Sequence, residues 1–192
     1  MTRSAGCELL TIGHSNLTAD RFVALLKHAG VTAIADVRSV PFSRRYPWFS
    51  QRPLAERLAR ERIAYVPLGE ALGGRPSDPS LYRDGVADFS AIAHSPQFSA
   101  GLDRVIEGAQ RFRVCLMCAE REPLECHRCL LIAPALVARR VALGHILADG
   151  TIEPHVATEA RLLAASGEDD LFQDRAGRLA EACRGRTRAR SC

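Results

Sequence analysis

The sequence predicts an α/β fold, a three-layer sandwich with a mostly parallel sheet of about five strands. Three observations predict it. Short apolar segments alternate along the chain with segments whose apolar residues recur at helical spacing. The central short segments are apolar on both faces, which is typical of parallel strands covered by helices on both sides. The chain has 192 residues, 47% of them hydrophobic, and this suffices for one domain with a substantial core.

The first half of the chain supplies three of the predicted strands, over residues 8–13, 32–37 and 63–68. Thr18 can cap a helix that follows the first strand. A loop rich in arginine and aromatic residues follows the second strand and leads into a helix over residues 51–61.

The second half supplies two further strands, over residues 112–118 and 145–147. Pro134 should kink or divide the helix that follows the first of these strands. Helical segments are expected over residues 88–108, with a break at Ser95-Pro96, from Cys126 onward, and over residues 154–165.

Charge divides the chain into a domain and a tail. Residues 1–166 are predicted to form a single α/β domain. Residues 167–192 form an acidic and then arginine-rich tail that we expect to be flexible. The net charge of +4 arises in the arginine-rich part of this tail, residues 171–192, which can add weak, salt-dependent attraction to nucleic acid.

The composition also excludes some classes of protein. No apolar run approaches the ~18 residues of a membrane span, so we expect no membrane role. The first residues lack the apolar segment of a secretory signal. The seven cysteines, an odd number that cannot all pair within the chain, indicate reduced thiols and predict a cytoplasmic protein.

Reactive residue types follow the ends of the predicted strands. Ligands of open parallel sheets bind outside the carboxyl ends of the strands, so we expect these residues to share one pocket. The candidates for catalytic roles are His14, Asp36, Cys118, Glu120, Cys126 and His127. The candidates for binding a ligand are Ser15, Arg38, Gly74, Arg75 and Arg128.

Each of these residue types has a chemical interpretation and a structural one. Asp36 can act as a base, or it can form an ion pair with Arg38. Arginines at strand ends suit phosphate or carboxylate, and a glycine such as Gly74 lets the backbone approach an anion. Ser15 fits a helix cap, and the aromatic residues that follow Arg45 are expected to pack onto the domain rather than stack on a base.

Four cysteines lie within fifteen residues, at positions 115, 118, 126 and 129. They could together bind zinc. However, Cys115 and Cys118 are three residues apart on a predicted strand, and this odd spacing points their side chains to opposite faces. We therefore expect no four-cysteine zinc site and assign no metal ligand. Cys115 is expected to be a small buried hydrophobic residue.

The alternative is a reactive thiol. Cys126 and His127 open a predicted helix whose amino end, together with Arg128, would stabilise a thiolate. Cys118 ends a buried strand, where burial would raise its pKa, so we expect Cys126 to have the lower pKa of the two. His127 or His14 could exchange a proton with the thiol. If neither thiol is reactive, the segment is a packed turn.

Several short segments resemble the prokaryotic family known as domain of unknown function 488, over about residues 8–150. They are Thr11–Ser15, Asp36–Arg38 with Pro41, Leu72–Arg75, the string from Cys118-Ala-Glu through Pro123 to Cys126-His-Arg, and Gly144–Ile146. The resemblance implies motif positions at the candidate residues given above. Cys115 and Cys129 lie outside the motif, and the resemblance implies no established activity or cofactor.

These observations predict an enzyme-like α/β protein that binds a small anionic or phosphate-bearing ligand, such as a nucleotide or a nucleic-acid end, at the carboxyl edge of the sheet. One alternative is a non-catalytic module that binds nucleic acid or regulates a partner through the same arginines. Another is a thiol or metal sensor. The cofactor and the oligomeric state are not indicated by the sequence.

Overall fold

A computed structural model of the chain describes residues 9–166 and 174–189, and of residues 187–189 it describes the backbone alone. Among these residues, the strands are β1 (Leu9–Gly13), β2 (Ala33–Asp36), β3 (Ala64–Pro67), β4 (Tyr82–Arg83), β5 (Val86–Ala87), β6 (Val114–Cys118), β7 (Leu143–Ile146) and β8 (Ile152–Pro154). The helices are α1 (Ala19–His28), α2 (Gln51–Arg60), α3 (Gly69–Leu72), α4 (Phe89–Ala93), α5 (Pro96–Ala109), α6 (Ala133–Ala138), α7 (His155–Ser166) and α8 (Arg175–Ala189).

A six-stranded sheet forms the middle layer, in the order β3-β2-β6-β1-β7-β8. The first five of these strands pair in parallel, and β8 pairs antiparallel with β7. The predicted α/β fold with a mostly parallel sheet is therefore confirmed. Strand β8 was not predicted, because three residues that end in proline carry little strand pattern. The hairpin of β4 and β5, which lies in the long loop before α4, was not predicted either.

Side chains that alternate along the strands build one apolar core on each face of the sheet. Ile34 and Cys115 point to the face covered by α1 and α2, where they meet Phe22, Leu25, Leu54 and Leu58. Ala35, Leu116 and Cys118 point to the other face, where they meet Phe98 and Leu102 of α5 and Leu131, Ile132 and Leu136. This arrangement is the expected three-layer sandwich.

Local signals place several helix ends where the sequence predicts them. The Thr18 hydroxyl accepts a hydrogen bond from the Arg21 amide at 3.1 Å and caps α1. Ser95 caps α5 in the same way, and Pro96 occupies its first turn, so the predicted break lies between α4 and α5. Pro134 divides its helical segment: a π-helical turn over Arg128–Ile132 leads into α6, in whose first turn the missing amide of proline is tolerated.

Two predicted elements differ from the observed ones. The fifth strand begins at Leu143 rather than at residue 145, because Leu143 and Gly144 pair with Leu9 and Leu10 of β1. Residues 175–189, for which we expected a flexible tail, form helix α8. Leu179, Ala182 and Cys183 give α8 an apolar stripe at helical spacing, and this stripe packs against Leu124, Cys129 and Leu162. No helix within the described residues is long and apolar enough to cross a membrane.

Candidate functional site

A pocket of about 510 Å³ opens at the carboxyl end of β6. The loops that follow β2 and α3, the hairpin of β4 and β5, and the loop that follows β6 form its walls. Six of the sequence-predicted site residues line it. These six are Arg38, Gly74, Arg75, Cys118 at the end of β6, Glu120 and His127.

Close backbone contacts hold the two strand ends beneath the pocket together. The amides of His14 and Ser15 donate to the carbonyls of Cys118 and Ala119, at 2.9 and 2.8 Å. A Cβ atom at Gly13 would lie 1.7 Å from the carbonyl oxygen of Glu120, so only glycine fits there. Gly74 approaches the other side in a similar way, because its Cβ would meet the His127 side chain at 2.9 Å.

Asp36 holds the guanidinium of Arg38 in the pocket wall. Its Oδ1 accepts from Arg38 Nε at 2.9 Å, and its Oδ2 accepts from Nη2 at 2.6 Å, which is the bidentate geometry of a strong ion pair. The Tyr65 hydroxyl donates to Oδ2 as well, at 2.6 Å. Burial and these contacts raise the pKa of Tyr65, so the hydroxyl remains a donor. Asp36 is only 1% exposed and therefore acts on Arg38 rather than on a ligand.

His14 supports Arg38 from the other side. Arg38 Nη1 donates to His14 Nε2 at 3.2 Å, while His14 Nδ1 lies 3.0 Å from the Ser15 carbonyl. Because a guanidinium can only donate, the imidazole proton is on Nδ1. Burial and the neighbouring Arg38 lower the pKa of His14 to about 4, so the ring is neutral at pH 7. The ring also stacks on buried Phe49, with centroids 4.2 Å apart.

Two thiols, a carboxylate and an imidazole meet at the floor of the pocket. The Cys118 thiol donates to Glu120 Oε2 at 2.8 Å, and Cys126 Sγ lies 3.2 Å from the same oxygen. His127 Nδ1 faces both sulfurs, at 3.5 Å from Cys118 and 3.8 Å from Cys126. Its Nε2 donates to the Val37 carbonyl at 3.0 Å, which fixes the ring orientation.

The surroundings make Cys126 the more acidic thiol. Burial opposes its ionisation, but the hydrogen bond with Cys118 and the charges of Arg128 and His127 lower the pKa of Cys126 to about 5. The pKa of Cys118 is raised, because its thiol hydrogen-bonds to Cys126 and is itself buried. This is the order that the sequence predicts. Burial alone would lower the pKa of His127, yet the contact with Cys126 raises it, which favours a thiolate–imidazolium pair.

Arg128 lies behind the thiols rather than in the pocket. Its side chain is 1% exposed, and Nη2 donates to the Arg121 carbonyl at 2.8 Å. Its Nε and Nη1 atoms have no hydrogen-bond partner among the described residues. We expected Arg128 to bind a ligand, but it does not line the pocket. A buried, incompletely paired cation instead stabilises nearby anions such as the Cys126 thiolate.

Other expectations also changed. Ser15 does not line the pocket; its hydroxyl contacts Asn16, and Thr18 rather than Ser15 caps α1. The aromatic loop packs onto the domain as expected: Phe49 is fully buried, and Trp48 Nε1 donates to the Leu17 carbonyl at 3.1 Å. Tyr65, which orients Asp36, was missed, because a tyrosine within an edge strand carries no distinctive sequence signal.

The four clustered cysteines lie in three different surroundings. Cys115 is in the core on the α1 and α2 face, Cys118 and Cys126 are in the core on the other face, and Cys129 packs with Leu162 and Ala182. They therefore cannot bind one ion together. Two other sets of donor atoms each lie within 4.8 Å of one another and could hold a metal ion. These sets, Cys118-Glu120-Cys126-His127 and Cys129-His145-His155, were missed because they combine cysteine with other residue types.

The comparison with protein families agrees with the motifs. The sequence model described as domain of unknown function DUF488 matches residues 18–134 of the chain, which is more than half of its length. This chain belongs to the DUF488 family. No curated protein and no solved structure matches it. The DUF488 match includes Asp36, Arg38, the Gly74 loop and the Cys118–Arg128 string, whereas β1 and β7 lie outside the matched residues.

Proposed function

We propose that this DUF488 protein binds a small anionic ligand, bearing a phosphate or carboxylate, in the pocket and reacts with it through the Cys118 thiol. The observation that carries this proposal is the shared pocket wall: Cys118, Arg38 and Arg75 line the same cavity. A cation array beside a nucleophile suits a substrate that carries negative charge.

The arginines supply the charge for binding. The Arg75 side chain is exposed at the pocket mouth, and its backbone amide is anchored to the Ser39 hydroxyl at 2.9 Å. Arg38 is buried and held by Asp36 and His14, so its orientation is fixed before a ligand arrives. The sequence suggests Asp36 and His14 as catalytic candidates. On this proposal they are positioning residues instead.

The reaction would proceed by nucleophilic substitution. The Cys118 sulfur attacks an electrophilic centre of the ligand, a bond from sulfur to that centre forms, and the leaving group departs with its electron pair. The thiol proton of Cys118 passes to Glu120 Oε2, which already accepts a hydrogen bond from this thiol at 2.8 Å. His127, whose Nδ1 lies 3.5 Å from the Cys118 sulfur, stabilises the thiolate that forms. Both thiols must be reduced for this step, which fits the reducing compartment that the sequence analysis predicts.

Alkylation by two reagents of different charge tests the proposal. Chelator-treated full-length protein would react with iodoacetate, an anion, and with neutral iodoacetamide, and peptide mapping would locate the modified cysteine. We expect modification at Cys118, and an iodoacetate-to-iodoacetamide rate ratio several-fold above that of the unfolded chain. Arg75→Gln should remove this excess. Arg60→Gln, an exposed arginine at the end of α2, should keep it. Equal ratios in folded and unfolded protein would refute anion binding at this site.

A thiol sensor is a second candidate, and the closeness of Cys118 to Cys126 favours it. A sensor would react with oxidants regardless of their charge, so the same pair of reagents separates the two functions. The nucleic-acid-binding alternative stays a prediction, and the salt dependence of binding to a short oligonucleotide tests it.

A further inference from the structure

We infer that Cys129, His145 and His155 form a buried site for a divalent transition-metal ion of the zinc type. The site lies outside the pocket: Cys129 belongs to the π-helical turn, His145 to β7, and His155 begins α7. It is independent of the proposed function. Both histidines lie beyond the residues matched by the DUF488 model.

The donor atoms are already gathered. One donor atom from each residue lies within 4.8 Å of the other two, and His145 Nε2 is 3.0 Å from His155 Nδ1. Zinc binds imidazole nitrogen at about 2.0–2.1 Å and thiolate sulfur at about 2.3 Å, so a central ion needs only small side-chain adjustments. The side chains come from three separate elements and are nearly inaccessible, with exposures of 3%, 0% and 5%.

Each histidine has a polar group near its other ring nitrogen, where metal-binding histidines usually have a partner. The Thr11 hydroxyl lies 2.7 Å from His145 Nδ1, so a proton on Nδ1 leaves the lone pair of Nε2 available to an ion. Glu159 Oε1 lies 3.5 Å from His155 Nε2, the ring nitrogen that the proposed ion does not use. Arg175 of α8 holds the other Glu159 oxygen at 2.9 Å.

A buried polar atom points to the same conclusion. His155 Nε2 is buried and makes no hydrogen bond with the described residues, although Glu159 Oε1 lies 3.5 Å away. An unsatisfied imidazole in the core is costly. A metal ion on Nδ1 would fix the proton on Nε2, facing Glu159, and would turn this contact into a favourable one. The Cys129 thiolate and Glu159 would together offset the two positive charges of the ion.

Helix α8 covers the site. Ala182 packs with Cys129 and Leu162 in one apolar cluster, and Cys183 packs against that cluster. Metal binding should therefore strengthen the packing of α8.

X-ray absorption of the wild-type full-length protein tests the site directly. The protein would be stripped with a chelator and reloaded with one equivalent of Zn²⁺. We expect a first shell with two imidazole nitrogens and one sulfur. A shell with a single imidazole would place the ion at Cys118-Glu120-Cys126-His127 instead and overturn the inference. Failure to retain stoichiometric zinc after dialysis would overturn it as well.

Variants locate the same ion by a second route. Cys129→Ala and His155→Gln should each weaken Co²⁺ or Zn²⁺ binding at least tenfold, and Thr11→Val about tenfold, since loss of an outer partner typically costs 10–100-fold in affinity. Cys115→Ala and His28→Gln are the matched controls and should bind as the wild type does. Near-ultraviolet circular dichroism confirms that each variant is folded. Unchanged affinity in folded Thr11→Val and His155→Gln would contradict the inference.

Discussion

Cys126 and Cys118 belong to the same sequence motif, but the pKa values of their thiols differ because their neighbours differ. Cys126 is fully buried, yet its pKa is about 5, whereas the pKa of Cys118 is raised. Burial alone would raise both values. The hydrogen bond between the thiols and the charges of Arg128 and His127 decide which one ionises. Cys118 remains the thiol that meets the pocket, so acidity and access belong to different residues.

Arg128→Met tests this division of roles. The substitution keeps apolar volume in the core but removes the buried positive charge, so the thiol pair should ionise at a higher pH. We expect alkylation of Cys118 to set in at a pH that is roughly one unit higher in Arg128→Met than in the wild type. The iodoacetate preference should persist, because Arg128 does not line the pocket. Measuring alkylation rates from pH 5 to 9 checks both statements, with Arg186→Ala in α8 as the control. A loss of iodoacetate preference together with an unchanged pH profile would contradict them.

At the scale of elements, the end of β1 and the loop after β6 form one unit. Two backbone hydrogen bonds join them, and Gly13 lies against the Glu120 carbonyl with no room for a Cβ atom. The position of Glu120 therefore depends on Gly13, which is far away in the sequence and has no reactive side chain. The hydrogen bond from Cys118 to Glu120 depends on Gly13 for the same reason.

Gly13→Ala should therefore affect both stability and the site. Its Cβ atom would overlap backbone rather than a mobile side chain, so we expect a loss of about 3 kcal/mol in the free energy of unfolding, at the upper end of the usual cost of overpacking. The pH profile of Cys118 alkylation should also change, because the substitution displaces Glu120, whose carboxylate accepts a hydrogen bond from the Cys118 thiol. Gly108→Ala is the matched control, since its Cβ would make an ordinary contact of 3.8 Å and the helix α5 tolerates alanine. Urea denaturation of both variants checks the difference. Equal stabilities would show that β1 and the loop can separate freely.

At the scale of the whole molecule, the fold buries one neutral histidine, His14, at the end of β1 beneath the pocket. His14 has a pKa of about 4 in the folded chain and about 6.5 when unfolded. Between these values the unfolded chain binds the extra proton, so this histidine contributes stability that is present above pH 6.5 and is lost as the pH falls towards 4.

His14→Gln should accordingly flatten the pH dependence of stability. Between pH 6 and 4.5, the slope of the unfolding free energy should fall by up to about 1.4 kcal/mol per pH unit relative to the wild type. Chemical denaturation at several pH values measures the slope. His28→Gln, at the exposed end of α1, should leave the slope unchanged. If His14→Gln retains the full slope, the histidine is protonated in the folded state and the assignment of its tautomer is wrong.

The sequence by itself determined the fold class, the family and the edge of the sheet where reactive residues lie. These features depend on local patterns: apolar periodicity, helix caps such as Thr18, and short motifs such as Cys126-His-Arg. The odd spacing of Cys115 and Cys118 likewise placed them on opposite faces, because strand geometry alternates strictly.

Only the tertiary structure decided which candidates share a surface. It placed Arg128 behind the thiols, made Asp36 and His14 supports for Arg38, and brought His145 and His155 to Cys129. It also packed α8 onto α7, where the sequence predicts a flexible tail. Burial, side-chain direction and donor distances arise from contacts between segments far apart along the chain, and local patterns carry no information about them.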